Sequence, residues 1–215
     1  MKGSRRNAWA VAGAIFMSLF FVGWASNASA EQDTFGPRSE ISVMGGVQAL
    51  NKNDTALPDH FIDIPAVGTV TYHLSSRLAA EGEFTWMIPV KQSVDIGSGT
   101  TQDRKSPDVL AYQANLRADF PVSSWRPYLA GGAGAITFLS NTDSDRLPQL
   151  QKSETAFAVN FGGGVTYPLT ERWAVRGDVR EFVAFPSHDA AGLSNSTGAD
   201  QIWMERGALG LSYRF

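Results

Sequence analysis

Cysteine is absent from the 215 residues, histidine occurs three times, and charged residues make up only 18% of the chain. The first absence excludes a disulfide framework, a thiolate metal site and a lipid anchor on an N-terminal cysteine. The low charge falls below the roughly 25% of an average soluble protein. A net charge of -3 leaves no basic footprint, so nucleic acid is not an expected partner. Helical periodicity is also nearly missing after the first thirty residues. What is plentiful is glycine, 21 residues, and aromatic side chains, 11%.

The opening segment reads as an address. Lys2, Arg5 and Arg6 precede an apolar run from Ala8 to Trp24, and Ala28-Ser29-Ala30 follows as a small-x-small cleavage pattern. This order of regions is that of a secretory signal peptide. The apolar run lies at the lower edge of what spans a membrane as a helix. The expected division is a cleaved leader, residues 1–30, and one exported domain, residues 31–215, without repeats or linkers.

That domain alternates with period two, the mark of strands with two different faces. One segment places Leu78, Ala80, Gly82, Phe84, Trp86 and Ile88 against Glu81, Glu83 and Thr85. Another sets Leu110, Tyr112, Ala114, Leu116, Ala118 and Phe120 against Gln113, Asn115, Arg117 and Asp119. Trp173, Val175, Gly177 and Val179 oppose Arg176, Asp178 and Arg180, and Leu209, Leu211, Tyr213 and Phe215 oppose Arg206, Ser212 and Arg214. Similar segments start at Ile41, Gly68 and Phe157. A glycine- and alanine-rich one, Tyr128 to Phe138, has ambiguous facing. Eight segments result. Their connections alternate between long and polar (51–63, 89–107, 140–152, 186–201) and short (75–77, 121–126, 168–172). This predicts an all-β, eight-stranded antiparallel up-and-down barrel.

Alternation alone does not say which face meets solvent, but three features favour a membrane. Aromatics gather near segment ends: Tyr128, Tyr167 and Trp173 toward the short turns, with Trp125, Tyr213 and Phe215; Trp86 and Trp203 toward the long loops, with Phe138 and Phe185. They read as two interfacial girdles. The polar face carries both signs of charge, in Glu81, Glu83, Arg117, Asp119, Arg176, Asp178, Arg180 and Arg206, which suits a paired network inside a narrow barrel better than an apolar core. The segments are also long enough to cross hydrocarbon when tilted. Eight strands enclose a space that side chains fill, so a plugged lumen is expected. Glu181 and Glu205 break the scheme by continuing the apolar parity. A bulge or a strand end above the hydrocarbon is the favoured explanation, and a cation or lipopolysaccharide contact the sharper one.

Three stretches carry a family resemblance. Trp125-Arg126-Pro127-Tyr128-Leu129-Ala130-Gly131-Gly132-Ala133-Gly134 resembles the fifth strand of small outer-membrane barrels. Residues 162–173, Gly-Gly-Gly-Val-Thr-Tyr-Pro-Leu-Thr-Glu-Arg-Trp, are similar to their passage from sixth to seventh strand. Tyr213-Arg214-Phe215 resembles the terminal aromatic signal read by the barrel assembly machinery. The family comprises outer membrane protein A transmembrane domains, opacity proteins and Ail-type barrels. The resemblance implies a bacterial outer-membrane location, with Tyr213 and Phe215 as assembly signal. It also implies a non-enzymatic role in adhesion or envelope integrity, and it transfers no catalytic residues.

The expected partners are outer-membrane lipid, lipopolysaccharide, the assembly machinery and an extracellular ligand at the four long loops. Lys91, Arg104, Lys105 and Arg146 are candidate contacts. No cofactor, metal ligand or catalytic residue is expected. His60, His73 and His188 are far apart, and the glycine runs precede no helix that would cradle a phosphate. Ser187-His188-Asp189 with Ser194, Asn195 and Glu205 supplies the ingredients of a hydrolytic triad. It lacks the spacing of the deacylase-type barrels that modify lipid A, which stand as the enzymatic alternative. A narrow channel is the other.

Overall fold

Among the described residues ten strands follow one another: β1 Ser39–Asn51, β2 His60–His73, β3 Leu78–Pro89, β4 Gln92–Asp95, β5 Thr101–Arg104, β6 Val109–Asp119, β7 Arg126–Phe138, β8 Glu154–Pro168, β9 Trp173–Phe185 and β10 Ile202–Arg214. The computed structural model describes residues 38–51, 60–95, 101–142, 151–186 and 201–215. All belong to one compact unit, Phe35–Phe215. The leader expected at residues 1–30 lies outside them.

Eight strands close on themselves in the order β1-β10-β9-β8-β7-β6-β3-β2, every neighbouring pair antiparallel. The remaining two, β4 and β5, form a separate hairpin in the second long connection. Closure leaves the eight barrel strands no open edge, which hydrocarbon requires because it offers backbone groups no hydrogen-bond partner.

The alternation has the phase of a membrane barrel. On β3, outward Leu78, Phe84, Trp86 and Ile88 are exposed, while inward Ala79, Glu81, Glu83, Thr85 and Met87 are buried. Around the wall Val43 is 74% exposed, Leu116 67%, Val179 68% and Leu209 65%. A soluble barrel would bury those residues and expose the arginines. Here Arg117, Arg176, Arg180 and Arg206 are each at most 1% exposed.

The second strand begins earlier than its alternation suggests, at His60 rather than near Gly68. Pro65 hides the pattern. It has no N–H for the ladder, and the β1–β2 pairing is interrupted between Gly45↔Ala66 and Gln48↔Asp63. On the β3 side pairing continues through Pro65↔Met87.

The short connections are tight turns. Ser75 Oγ accepts the backbone N–H groups of Arg77 (3.2 Å) and Leu78 (3.0 Å). Thr170 Oγ1 repeats this for Arg172 (3.3 Å) and Trp173 (3.0 Å). Between β6 and β7, Val122 and Trp125 pair across Ser123-Ser124, and Ser123 takes a φ of 55°, as a two-residue hairpin loop requires.

Candidate functional site in the barrel lumen

In the closed order β3 and β9 lie on opposite walls, with three strands between them either way round. Their inward side chains meet across the full width of the lumen. Period-two geometry puts Arg176, Asp178 and Arg180 on the inner face of β9, Glu81 and Glu83 on that of β3, and Arg206 on that of β10. Arg180 reaches Glu81 at 2.5 Å, Glu83 at 3.2 Å and its own neighbour Asp178 at 3.1 Å. Arg176 pairs with Glu81 at 2.7 Å. Arg206 Nη1 donates to Glu83 at 2.7 Å and Nη2 to Asp178 at 2.8 Å. Desolvating so many ions costs several kcal/mol each unless partners compensate. Each carboxylate here meets at least two guanidinium groups.

Below this layer, toward the short turns, Arg117 pairs with Asp119 at 2.6 Å and stands 3.8 Å from Glu40. Arg214 Nε donates to Glu40 at 2.9 Å. His73 completes the mouth, 3.9 Å from Glu40 and 3.8 Å from Asp119. Hence all eight residues read as lumen charges lie inside. Glu40, His73 and Arg214 join them, although Arg214 was read only by its parity.

Tyr128 was expected at the membrane interface and is instead inside, 2% exposed. Its hydroxyl donates to Asp178 at 2.6 Å and accepts from Arg176 Nε at 2.8 Å. The Arg117 guanidinium lies 4.0 Å from the ring centroid, a cation–π distance. Inward parity is possible because Gly164 lies directly across the strand pair. A Cβ there would stand 2.5 Å from the Tyr128 hydroxyl. Phe138, grouped with the outer girdle, is likewise inside and 1% exposed.

Above the ion pairs, toward the long loops, the lumen is apolar. Met87, Val109, Ile136, Phe138, Phe182 and Met204 belong to one buried cluster that fills the upper interior. The period-two alternation predicts the charge network but not this apolar layer. Arg206 marks the boundary, its guanidinium 5.1 Å from the Phe182 ring centroid. Higher still, Ser106 Oγ donates to Asp63 at 2.6 Å, fastening the base of the second long connection to β2.

The other expected interface aromatics, Trp86, Tyr167, Trp173 and Trp203, are exposed on the outer wall. Trp173 packs on Tyr213 at 5.0 Å between ring centroids, and Tyr213 on Phe215 at 6.4 Å. Glu181 and Glu205 are direct cross-strand partners, and the β9–β10 register runs through them unbroken. No bulge redirects them. Glu205 is exposed and Glu181 half-buried. Lys91 is exposed and Lys105 half-buried. The Arg104 side chain, Arg146, and the Ser187, His188, Asp189, Ser194 and Asn195 group lie outside the described residues. No group of three or more histidine and carboxylate side chains placed to hold a metal occurs among the described residues.

A family model described as "Outer membrane protein beta-barrel domain" matches residues 14–215. The chain belongs to that family. It is therefore a protein of the bacterial outer membrane, and the outward apolar face meets lipid. The fold is similar to that of the N-terminal β-barrel domain of Pseudomonas aeruginosa OprF, with a TM-score of 0.52 at 16% identity, over 84% of this chain and 100% of that one. It is also similar to Neisserial surface protein A, with a TM-score of 0.54 at 12% identity, over 82% and 97%. At such identities the likeness concerns the fold. No curated protein matches in sequence. Within this outer-membrane barrel the lumen is filled in two layers: ion pairs below, apolar side chains above.

Proposed function

We propose that this outer-membrane barrel is a non-enzymatic, non-conducting scaffold. Its long loops make contacts at the cell surface or support envelope integrity. The observation that carries the reading is the occupied cross-section of the lumen. Arginines from β9 and β10 meet glutamates on β3, and an apolar layer lies above them. An ion crossing the barrel would have to break a charge network and then enter an apolar plug, so the work falls to the loops and the lipid-facing wall.

In this reading residues 1–30 are removed on export. Tyr213 and Phe215 serve as the assembly signal, and Lys91 and Lys105 lie where anionic lipopolysaccharide is met. The short turns face the periplasm, as is usual for such barrels. The test pairs two measurements on the protein in planar bilayers and on whole cells. Conductance at background, together with surface binding abolished by trimming 89–107 and 186–201 while the barrel still assembles, supports the proposal. Steady single-channel currents, or binding unchanged by the trimming, refutes it.

A further inference from the structure

The three short turns share a pattern that turn geometry does not require. Leu74-Ser75-Ser76-Arg77, Val122-Ser123-Ser124-Trp125-Arg126 and Leu169-Thr170-Glu171-Arg172 each run from an apolar residue through two polar ones to an arginine at the start of the next strand, with Trp125 inserted before the arginine in the second. The polar residues are accounted for locally. Ser75 and Thr170 cap backbone N–H groups, and Ser123 adopts the positive φ. The apolar side chains and Arg77 have no such task. Leu74, Val122 and Leu169 are exposed, at 57%, 62% and 55%. Arg77, Arg126 and Arg172 are exposed as well. Among the described residues, Arg77 and Arg126 make no hydrogen bond or close ion pair through their side chains, although Arg126 lies in the field of the Asp119 and Glu40 carboxylates.

Arg38 is also exposed at this end, where Glu171 is the one exposed carboxylate side chain among the described residues. The long-loop end differs, for Lys91 and Lys105 are mixed there with Asp103 and Asp108. The aromatics mark depth. Trp125 lies 4.9 Å from Tyr167 and Trp173 lies 5.0 Å from Tyr213, between ring centroids. Arg172 Nη1 donates to the Tyr213 hydroxyl at 3.4 Å, beside a surface recess of about 410 Å³.

We propose that the three turns form a collar that holds anionic phospholipid headgroups of the periplasmic leaflet. Exposed Leu74, Val122 and Leu169 place the turns at the boundary of the hydrocarbon rather than in open periplasm. Trp125 and Trp173 sit at the depth aromatic residues prefer. The guanidinium groups then lie at phosphate level, where bidentate hydrogen bonds to phosphate are favourable. The apolar residues weigh against a water-borne polymer as occupant, because a polymer would leave them in water.

The test reconstitutes the full barrel into nanodiscs of equal phosphatidylglycerol and phosphatidylcholine, and counts retained lipids by native mass spectrometry. Phosphatidylglycerol is expected in excess. Each of Arg77→Gln, Arg126→Gln and Arg172→Gln should weaken its retention about fivefold. The Arg→Lys triple variant should keep most of the preference, and heat-modifiable migration confirms that each variant is folded. A glutamine triple variant with undiminished preference overturns the proposal. So does arginine-dependent binding to isolated peptidoglycan sacculi with no lipid preference, which would make the occupant a periplasmic polymer.

Discussion

Replacing Arg180 by methionine tests how far the lumen holds the barrel together. Methionine keeps much of the side-chain volume and removes only the guanidinium. Three carboxylates lose a partner, but none is stranded. Glu81 keeps Arg176 at 2.7 Å, Glu83 keeps Arg206 at 2.7 Å, and Asp178 keeps Arg206 at 2.8 Å. Breaking a buried pair costs about 3–5 kcal/mol when one charge is left uncompensated. The remaining partners place Arg180→Met near the lower end, about 3 kcal/mol, or roughly two decades in the folding equilibrium. Adding Glu83→Gln removes the surplus negative charge and should restore about 1 kcal/mol or more, since neighbouring members of one network are not additive. Urea titration of the protein folded in vesicles, followed by tryptophan fluorescence and by the heat-modifiable gel shift, measures both. A loss below about 0.5 kcal/mol for Arg180→Met would refute the reasoning, because the network would then carry no more than a surface pair. A double variant no more stable than the single one would refute the charge-balance argument.

Gly164→Ala forces the new Cβ against the Gly177 backbone carbonyl oxygen, 2.1 Å away, and the Tyr128 hydroxyl, 2.5 Å away. It should cost about 1–3 kcal/mol in the same titration. Tyr128→Phe removes the bridge between Asp178 and Arg176, and a similar loss of about 1–3 kcal/mol is expected. Glu205→Gln relieves like charges directly across from each other and should stabilise by about 0.2–1 kcal/mol. Val179→Arg sets a charge on the lipid face and should cost about 2–4 kcal/mol if the site lies at mid-bilayer, whereas a gain would place it outside hydrocarbon. Lipid A from cells with and without the protein should give the same mass spectrum, and a lost acyl chain would favour the enzymatic alternative.

The wall of the barrel was readable where neighbouring residues contrast in polarity. In the lower halves of β3 and β6 outward Gly82, Phe84, Ala114 and Leu116 alternate with inward Glu81, Glu83, Gln113, Asn115 and Arg117, so the period shows and the lumen charges follow from it. Where contrast fades, so does legibility. On β7 glycine and alanine dominate both faces, and nothing local fixes the parity of Tyr128. Its direction is decided by Gly164 on the neighbouring strand, a contact that only the β7–β8 register creates. In the upper lumen inward residues are as apolar as outward ones. Phe182-Val183-Ala184 therefore carries no alternation, although Phe182 and Ala184 point into the plug. The turn arginines stood in plain sight, but their common setting emerges only when the three turns lie at one end of one barrel.

The central claim is that hydrocarbon meets every second residue from outside while the intervening ones are sealed within. Since the chain has no cysteine, single cysteines carrying spin labels can be placed along β10 without other changes. In vesicles, labels at Leu209 and Leu211 should collide freely with dissolved oxygen, and labels at Ala208 and Ser212 should be shielded from it. The opposite phase, or equal collision along the strand, would contradict the account.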